Sequence, residues 1–272
     1  MILTTGTCIA ALRSDFWIVL AADSKSTVQS AKEGRKEGPQ RSKLHKLDNP
    51  NVAVWFAVSG LPELETDEGL EVMDTIKSAN VALNMAALQP GHTINRAARI
   101  FESIWRIQLE RILPDLFRQG HDKSSLYAHG ALFAGFEGNT PVVSALEMSM
   151  ESIDDGPFRL RPTDWLNLDS GWGHVELGCR RNIRRYLGRY LAAQPPTFWC
   201  DDPQWAAGLM VGIEVHCDSD HVDFPISILH ISPSVVVPTE KTMFTSRDKN
   251  WLELLGVLPR SPIIVNCDNL KP

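Results

Sequence analysis

The sequence predicts an α+β domain in which antiparallel strand pairs are followed by helices. Three observations predict it. Two apolar runs rich in β-formers lie between Gly6 and Asp23 and flank the polar break Arg13-Ser14-Asp15, which is a hairpin signal. Further on, Ile94, Ala97, Ala98, Phe101, Ile104, Trp105, Gln108, Ile112 and Leu116 recur at helical spacing. Between strand-like runs the chain carries strong turn chemistry, such as Asp48-Asn49-Pro50-Asn51.

The elements follow in order. The first hairpin folds its far ends together, so Thr7 at one end comes beside Asp23 at the other. The segment from Ala31 to Gln40 alternates charge sign and contains two glycines and a proline, so it predicts an exposed loop. Lys43 to Leu47 and Val52 to Ser59 form the next strand pair. Leu70, Val72, Met73 and Ile76 suggest a first amphipathic helix, and a longer one follows, kinked or ended at Pro114. His129 to Phe136 and Pro141 to Met148 predict strands around Glu137-Gly138-Asn139-Thr140, and Phe158 to Leu168 a weaker, more polar one. Asp169-Ser170-Gly171-Trp172-Gly173 is predicted to lead into a helix with Val175, Cys179, Ile183, Tyr186, Leu187 and Tyr190 on one side. Asp202-Pro203 announces a fourth helix to about Val215, by an N-cap with proline in the first turn. Ile226 to Ile231 is a late strand, and Trp251, Leu252, Leu254 and Leu255 suggest a short amphipathic turn beyond it.

Composition narrows the function classes. A chain of 272 residues favours one large domain, and 43% hydrophobic with 22% charged residues is ordinary for a globular protein. A net charge of −6 argues against nucleic acid or anionic membrane as the main partner. Five widely spread cysteines (Cys8, Cys179, Cys200, Cys217 and Cys267) show no zinc-like pairing and suit free thiols in a reducing cytosol. The opening six residues are too short for a signal peptide, and no apolar run approaches membrane-spanning length. His216, Asp218, Asp220 and His221 are metal-capable, but their spacing matches no defined site, so neither metal nor cofactor is expected. The arginines at 180, 181, 184, 185 and 189 make a basic helix face, either solvated or packed on a neighbouring subunit.

Thr7 is the residue with the most chemistry to offer. A cut between Gly6 and Thr7 would leave its hydroxyl beside its own α-amine, which titrates at about 7.7–8.0 and can act as the base that activates that hydroxyl. Gly6-Thr7, followed sixteen residues later by Asp23-Ser24-Lys25-Ser26-Thr27, resembles the β-subunits of the 20S proteasome and the bacterial HslV, which are N-terminal-nucleophile hydrolases. Lys43-Leu44-His45-Lys46-Leu47 fits the family's lysine-headed strand, after a loop four residues longer than usual. The run from Val52 to Gly60 fits its strand ending in an oxyanion-donating glycine.

The resemblance implies a four-layer αββα sandwich, two stacked antiparallel sheets between helix layers. It divides the chain into a propeptide-like segment (1–6), the hydrolase domain (7–237) and a C-terminal extension (238–272). It implies Thr7 as nucleophile, Lys43 as the ammonium that eases its deprotonation, Asp23 holding Lys43, and the Gly60 N–H receiving the oxyanion. Ser170 would orient the threonine amine, Thr27 and Val58-Ser59-Gly60 would pair with an extended substrate, and Ser26, Arg41, His45 and Val58 would face the side chain beside the scissile bond. One part departs from the family. Val222-Asp223-Phe224 stands where serine and glycines are expected, so the aspartate of that network falls to Asp218 or Asp220, with Asp220 preferred. The implied activity is threonine-dependent hydrolysis of peptides or unfolded proteins by a self-processed, cytoplasmic, ring-forming homo-oligomer, with an ATP-dependent unfoldase as a candidate partner. Two other readings stand beside it: a noncatalytic proteasome-like subunit, in which Thr7 is an ordinary strand threonine, and a small-molecule amidase on the same fold. Lys43 is expected to matter more for reaction than for folding.

Overall fold

The computed structural model describes residues 2–5, 7–30, 34–38, 40–121, 126–151, 159–191, 202–218, 221–223, 225–233 and 241–243. The chain begins with nine strands: β1 (Ile2–Thr5), β2 (Cys8–Arg13), β3 (Ile18–Asp23), β4 (Thr27–Ser30), β5 (Gly34–Glu37), β6 (His45–Lys46), β7 (Val54–Ser59), β8 (Glu63–Glu65) and β9 (Glu71–Asp74). Helices α1 (Thr75–Ala87) and α2 (Thr93–Arg118) follow, then β10 (Ala128–Glu137), β11 (Thr140–Ser149), β12 (Asp164–Leu168) and β13 (Gly173–Gly178). Helices α3 (Arg181–Leu191) and α4 (Pro203–Cys217) precede β14 (Ile226–Ile231) and β15 (Lys241–Met243). The fold is therefore mixed α and β. Its strands form three antiparallel five-stranded sheets, ordered β5-β4-β1-β8-β9, β12-β11-β10-β7-β6 and β13-β2-β3-β14-β15.

The first hairpin forms as predicted, with Arg13 opposite Ile18 and Ile9 opposite Ala22. Both of its strands are buried throughout, which explains why their sequences are apolar runs rather than alternations. One face, with Ile9, Ala11, Ile18 and Leu20, shares a core with Trp55, Ala57, Leu132 and Val143 from β7, β10 and β11. The other, with Cys8, Ala10, Leu12, Val19 and Ala21, packs on Ile183 and Leu187 of α3 and Leu209 and Met210 of α4. A third core joins α1 and α2 to β7 and β10, where Phe56, Phe101 and Phe133 stand with ring centroids 5.0–5.5 Å apart.

Several elements differ from expectation. The predicted loop from Ala31 to Gln40 instead carries β5, which pairs with β4 from Thr27↔Glu37 to Ser30↔Gly34 and satisfies that strand's backbone groups. Leu70 to Met73 is not helical. Glu71–Asp74 pairs with β8, and α1 begins at Thr75, where Asp74 accepts from the Ile76 and Lys77 N–H groups. Pro114 sits inside α2, which continues to Arg118. Residues 173–178, predicted as helix, form β13: Val175 and Leu177 point into the inter-sheet core and Glu176 away from it, a period of two. α3 begins only at Arg181, beyond Cys179. Past the predicted boundary at 237, Lys241–Met243 adds a strand to β14. The predicted turn at Trp251 to Leu255 lies outside the described residues.

Candidate functional site around Thr7

The hairpin closes where Thr7 begins. The Cys8 N–H donates to Asp23 Oδ1 at 2.8 Å and the Lys25 N–H donates to Oδ2 at 2.9 Å, so the carboxylate staples the start of β2 to the end of β3. Lys43 Nζ donates to both Asp23 oxygens at 3.1 Å and also to the Lys25 carbonyl. Both side chains are buried. Burial pushes the Asp23 carboxyl up, opposed by the Lys43 ammonium and the donated N–H groups. Burial likewise pulls Lys43 down, opposed by Asp23. A pair held this way depends on both members for folding, so Lys43 has a structural part beside any part in reaction.

Thr7 is 5% exposed and shares a cavity of about 50 Å³ with Ser26, Arg41, Lys43, His45 and Val58. The structure thus gathers all four residues predicted to face the substrate side chain around the predicted nucleophile and lysine. At the rim, Arg41 pairs with Glu63 at 2.7 Å.

Gly60 follows β7 at φ +95°, and a Cβ there would stand 2.7 Å from His129 Nδ1 and 2.8 Å from the Ala128 carbonyl oxygen. The backbone can pass only as glycine. His129 is buried; with its Nε2 3.0 Å from the Leu126 carbonyl oxygen, its Nδ1 has no hydrogen-bond partner among the described residues. Desolvation lowers its pKa to about 4, so the imidazole is neutral and Nε2 is the donor.

Two residues at Thr7 were not predicted. The Cys179 N–H donates to the Thr7 carbonyl at 3.1 Å. Gly178, at φ +76°, passes so close that a Cβ would meet that same carbonyl oxygen at 2.0 Å. The alternation His174-Val175-Glu176-Leu177 ending in glycine was the sequence signal for this strand end. Glu214, buried in α4, accepts from the Asn182 N–H at 2.5 Å and the Ile183 N–H at 2.9 Å, and so anchors α3 directly behind Cys179.

Ser170 is a correction. β13 runs antiparallel to β2, with Gly178 opposite Cys8 and Gly173 opposite Arg13. Ser170 therefore lies beyond the Arg13 end of β2, roughly 20 Å from Thr7 at strand spacing. The buried Arg13 guanidinium fixes that end by donating to the carbonyls of Pro141, at 2.9 Å, and Gly171. Ser170 there lines a separate cleft with Asp169, Asn139 and Pro233. Asp220 lies outside the described residues. Asp218 ends α4, and its Oδ1 lies 2.7 Å from His221 Nδ1. Its charge, like that of Asp23, contributes to holding the Cys179 thiol at about 12, behind desolvation as the main cause. Val222 is buried, and the Asp223 carbonyl accepts from the Ser24 N–H at 3.4 Å.

The segment before Thr7 is a strand in the middle of its sheet. β1 runs antiparallel to β4 on one side, from Ile2↔Ser30 to Thr5↔Thr27, and antiparallel to β8 on the other, from Ile2↔Glu65 to Thr4↔Glu63. Thr27 thus flanks β1 on one side and β8 lies on the other, while Val58 and Ser59 pair on one edge with Ala131 and Gly130 of β10.

No protein-family model and no curated protein matches the chain. Among the described residues no helix is long and apolar enough to cross a membrane, and no group of three or more histidine, cysteine, aspartate or glutamate side chains gathers as a metal site.

Proposed function

We propose that the chain is a threonine-type N-terminal-nucleophile hydrolase that processes itself at Gly6-Thr7 and then cleaves peptide amide bonds. The observation that carries this reading is the course of β1. It runs Ile2–Thr5 as an extended strand, hydrogen-bonded on both sides, toward Thr7, which shares a cavity with Lys43, the ion-pair partner of Asp23. In the uncut chain the Thr7 hydroxyl attacks the Gly6 carbonyl, and the amide becomes an ester as the Thr7 nitrogen leaves with a proton. Water then hydrolyses the ester, releasing residues 1–6 as a carboxylic acid and restoring the hydroxyl beside the amine already freed by the shift. In the processed chain that amine takes the hydroxyl proton, Thr7 attacks a substrate carbonyl, the C–N bond breaks as the leaving amine receives that proton, and water hydrolyses the resulting ester to regenerate Thr7. The Lys43 ammonium favours the anionic oxygen, and the Gly60 N–H is the candidate oxyanion donor, a role typically worth about 2.7–4 kcal/mol. A slot wide enough for a four-residue strand supports peptides over small amides.

The proposal includes the αββα arrangement and kinship with proteasome β-subunits and HslV. Its support is that β2, β3 and β14 share an inter-sheet core with β7, β10 and β11 while α1 and α2 pack on one of these sheets and α3 and α4 on the other. A noncatalytic assembly subunit is the second reading, favoured by the double hydrogen-bonding of β1, which fills the slot while the chain is uncut. Intact-mass measurement after prolonged incubation separates the two. The hydrolase loses six residues, Thr7→Ala does not, and the processed protein forms a ring adduct at Thr7 with a peptide epoxyketone. A stable full-length mass for the wild type leaves the noncatalytic reading.

A further inference from the structure

β8 makes one wall of the slot that β1 occupies, and its residues alternate between two chemistries. β1 runs antiparallel between β4 and β8, and the register fixes what stands on either side of each residue before Thr7. Ile2 lies between Ser30 and Glu65, Leu3 between Gln29 and Leu64, and Thr4 between Val28 and Glu63. Thr5 is opposite Thr27 on the β4 side. Pro62 comes next on the β8 side; it has no N–H to give, and its carbonyl accepts from the Thr75 N–H at 3.0 Å. β8 begins at Glu63, three residues after Gly60, so the wall continues directly from the candidate oxyanion turn.

Residues directly opposite in an antiparallel pair share a face, so burial distinguishes the two faces of the slot. On the inward face Leu64 is fully buried and packs in one core with Leu61 and Met73, and Thr27 and Gln29 across the slot are buried too. The outward face carries Glu63, half-buried, and Glu65, exposed, with Val28 and Ser30 half-buried on the β4 side. Arg41 pairs with Glu63 at 2.7 Å, while Glu65 has no ion-pair partner among the described residues. Lys36, opposite Val28 on β5, stands two strand spacings from β1, about 10 Å. Exposed glutamates on a strand ordinarily do no more than solvate it. Here an extended chain is docked beside them, and their spacing of two turns both to the face that alternate residues of that chain share.

We propose that β8 sets the class of peptide the processed enzyme cleaves: lysine or arginine third and fifth before the scissile bond, and an aliphatic residue fourth. This rests on the hydrolase reading, in which a substrate takes the place that residues 1–6 leave. Counted back from the Gly6-Thr7 bond, the third residue stands at the Thr4 place, directly opposite Glu63 and diagonal to Glu65. Diagonal neighbours are about 7–8 Å apart, within reach of a long side chain, so a basic residue there meets both carboxylates. The fifth stands at the Ile2 place, directly opposite Glu65. The fourth stands at the Leu3 place, between Gln29 and Leu64, where an aliphatic side chain extends the core to which Leu64 belongs. Arg41 already answers Glu63, so Glu65 carries the larger share of the charge preference.

Hydrolysis of fluorogenic peptide amides by the processed chain tests it. The parent peptide is an acetylated copy of residues 2–6 with the reporter amine as leaving group, and its third residue from the bond is varied as lysine, glutamine and glutamate. At low salt kcat/KM should fall in that order, by about twofold to fivefold per step, the range of an exposed ion pair. The three values should converge at about 1 M NaCl, where the screening length is about 3 Å; this salt dependence is read on the wild type without any variant. Aspartate in place of the leucine fourth should cost about tenfold or more. Glu65→Gln should bring the lysine-to-glutamate ratio toward one and Glu65→Lys should reverse it, with Glu63→Gln moving it less. A ratio taken within one variant is blind to a general loss of folding or activity. A wild type that keeps its full-length mass overturns the hydrolase reading and this inference together. A processed chain that cleaves the three peptides equally, or none of them, or whose preference survives in Glu65→Lys, overturns this inference alone, while the epoxyketone adduct at Thr7 keeps the hydrolase reading standing.

Discussion

Replacing Lys43 by methionine removes a cation from the most enclosed charge pair in the described structure. Asp23 would keep the two backbone donors, Cys8 and Lys25, at 2.8 and 2.9 Å, but lose both contacts at 3.1 Å. The Asp23 side chain is fully buried and Lys43 is 10% exposed, so water cannot replace the ammonium without opening the hairpin end. Breaking one partner of a buried pair costs about 3–5 kcal/mol. At about 2–4 °C per kcal/mol for a chain of this size, the melting temperature should fall by about 6–20 °C. The loss should depend on pH. A carboxyl raised by burial binds protons in the native state above its unfolded value of about 3.9, so the native state loses stability as pH rises through that window. With Lys43 gone the upward shift grows, and Lys43→Met should be more damaging at pH 8 than at pH 5. Asp23→Asn in the same chain should recover part of the loss, because it removes the stranded charge while breaking one backbone hydrogen bond. Thermal unfolding of the four chains as a double-mutant cycle gives the coupling directly. Strictly additive losses, or a Lys43→Met deficit under about 1 kcal/mol at pH 8, would refute the reasoning.

Three further outcomes are expected. His129 stays neutral in the native state down to about pH 4 while the unfolded chain takes up its proton near 6.5, so the unfolded state binds more protons between those values. Acidification from pH 7 to 4 should therefore remove about 3 kcal/mol, a slope that denaturant titrations of His129→Gln should lack. Gly60→Ala should cost well over the roughly 1–3 kcal/mol of a left-handed backbone alone, since its Cβ also meets His129 Nδ1 at 2.7 Å; Gly69→Ala, at φ +78° with open space around it, isolates the backbone part in urea unfolding. A synthetic peptide of residues Met1–Gly6 should compete with substrate in the processed hydrolase by re-entering the slot between β4 and β8, and proline in place of Leu3 should abolish that inhibition by removing a ladder donor. Equal potency of the two peptides in a peptidase assay would contradict the strand-slot geometry.

The sequence alone determined the elements whose local signals agree with their surroundings. The first hairpin was legible because both strands are buried on both faces, so their runs are wholly apolar around a polar turn. α4 was legible from Asp202-Pro203, where Asp202 does cap by accepting from the Trp205 N–H. The approach of Thr7 to Asp23 was legible because hairpin geometry is short-range, and Lys43 with the ring of Ser26, Arg41, His45 and Val58 through the family resemblance. Tertiary structure decided the rest. Short strands such as β1, β5 and β8 have no pattern of their own and exist because a neighbour's unpaired backbone groups accept them. β13 looked helical because Val175, Cys179 and Ile183 also recur at a four-residue interval. Pairing with β2 overrode that coincidence and moved Ser170 to the far end of the strand, bringing Gly178 and Cys179 to Thr7 instead. Which small residue touches a nucleophile depends on strand register, and register is set by the partner strand rather than by the residue itself.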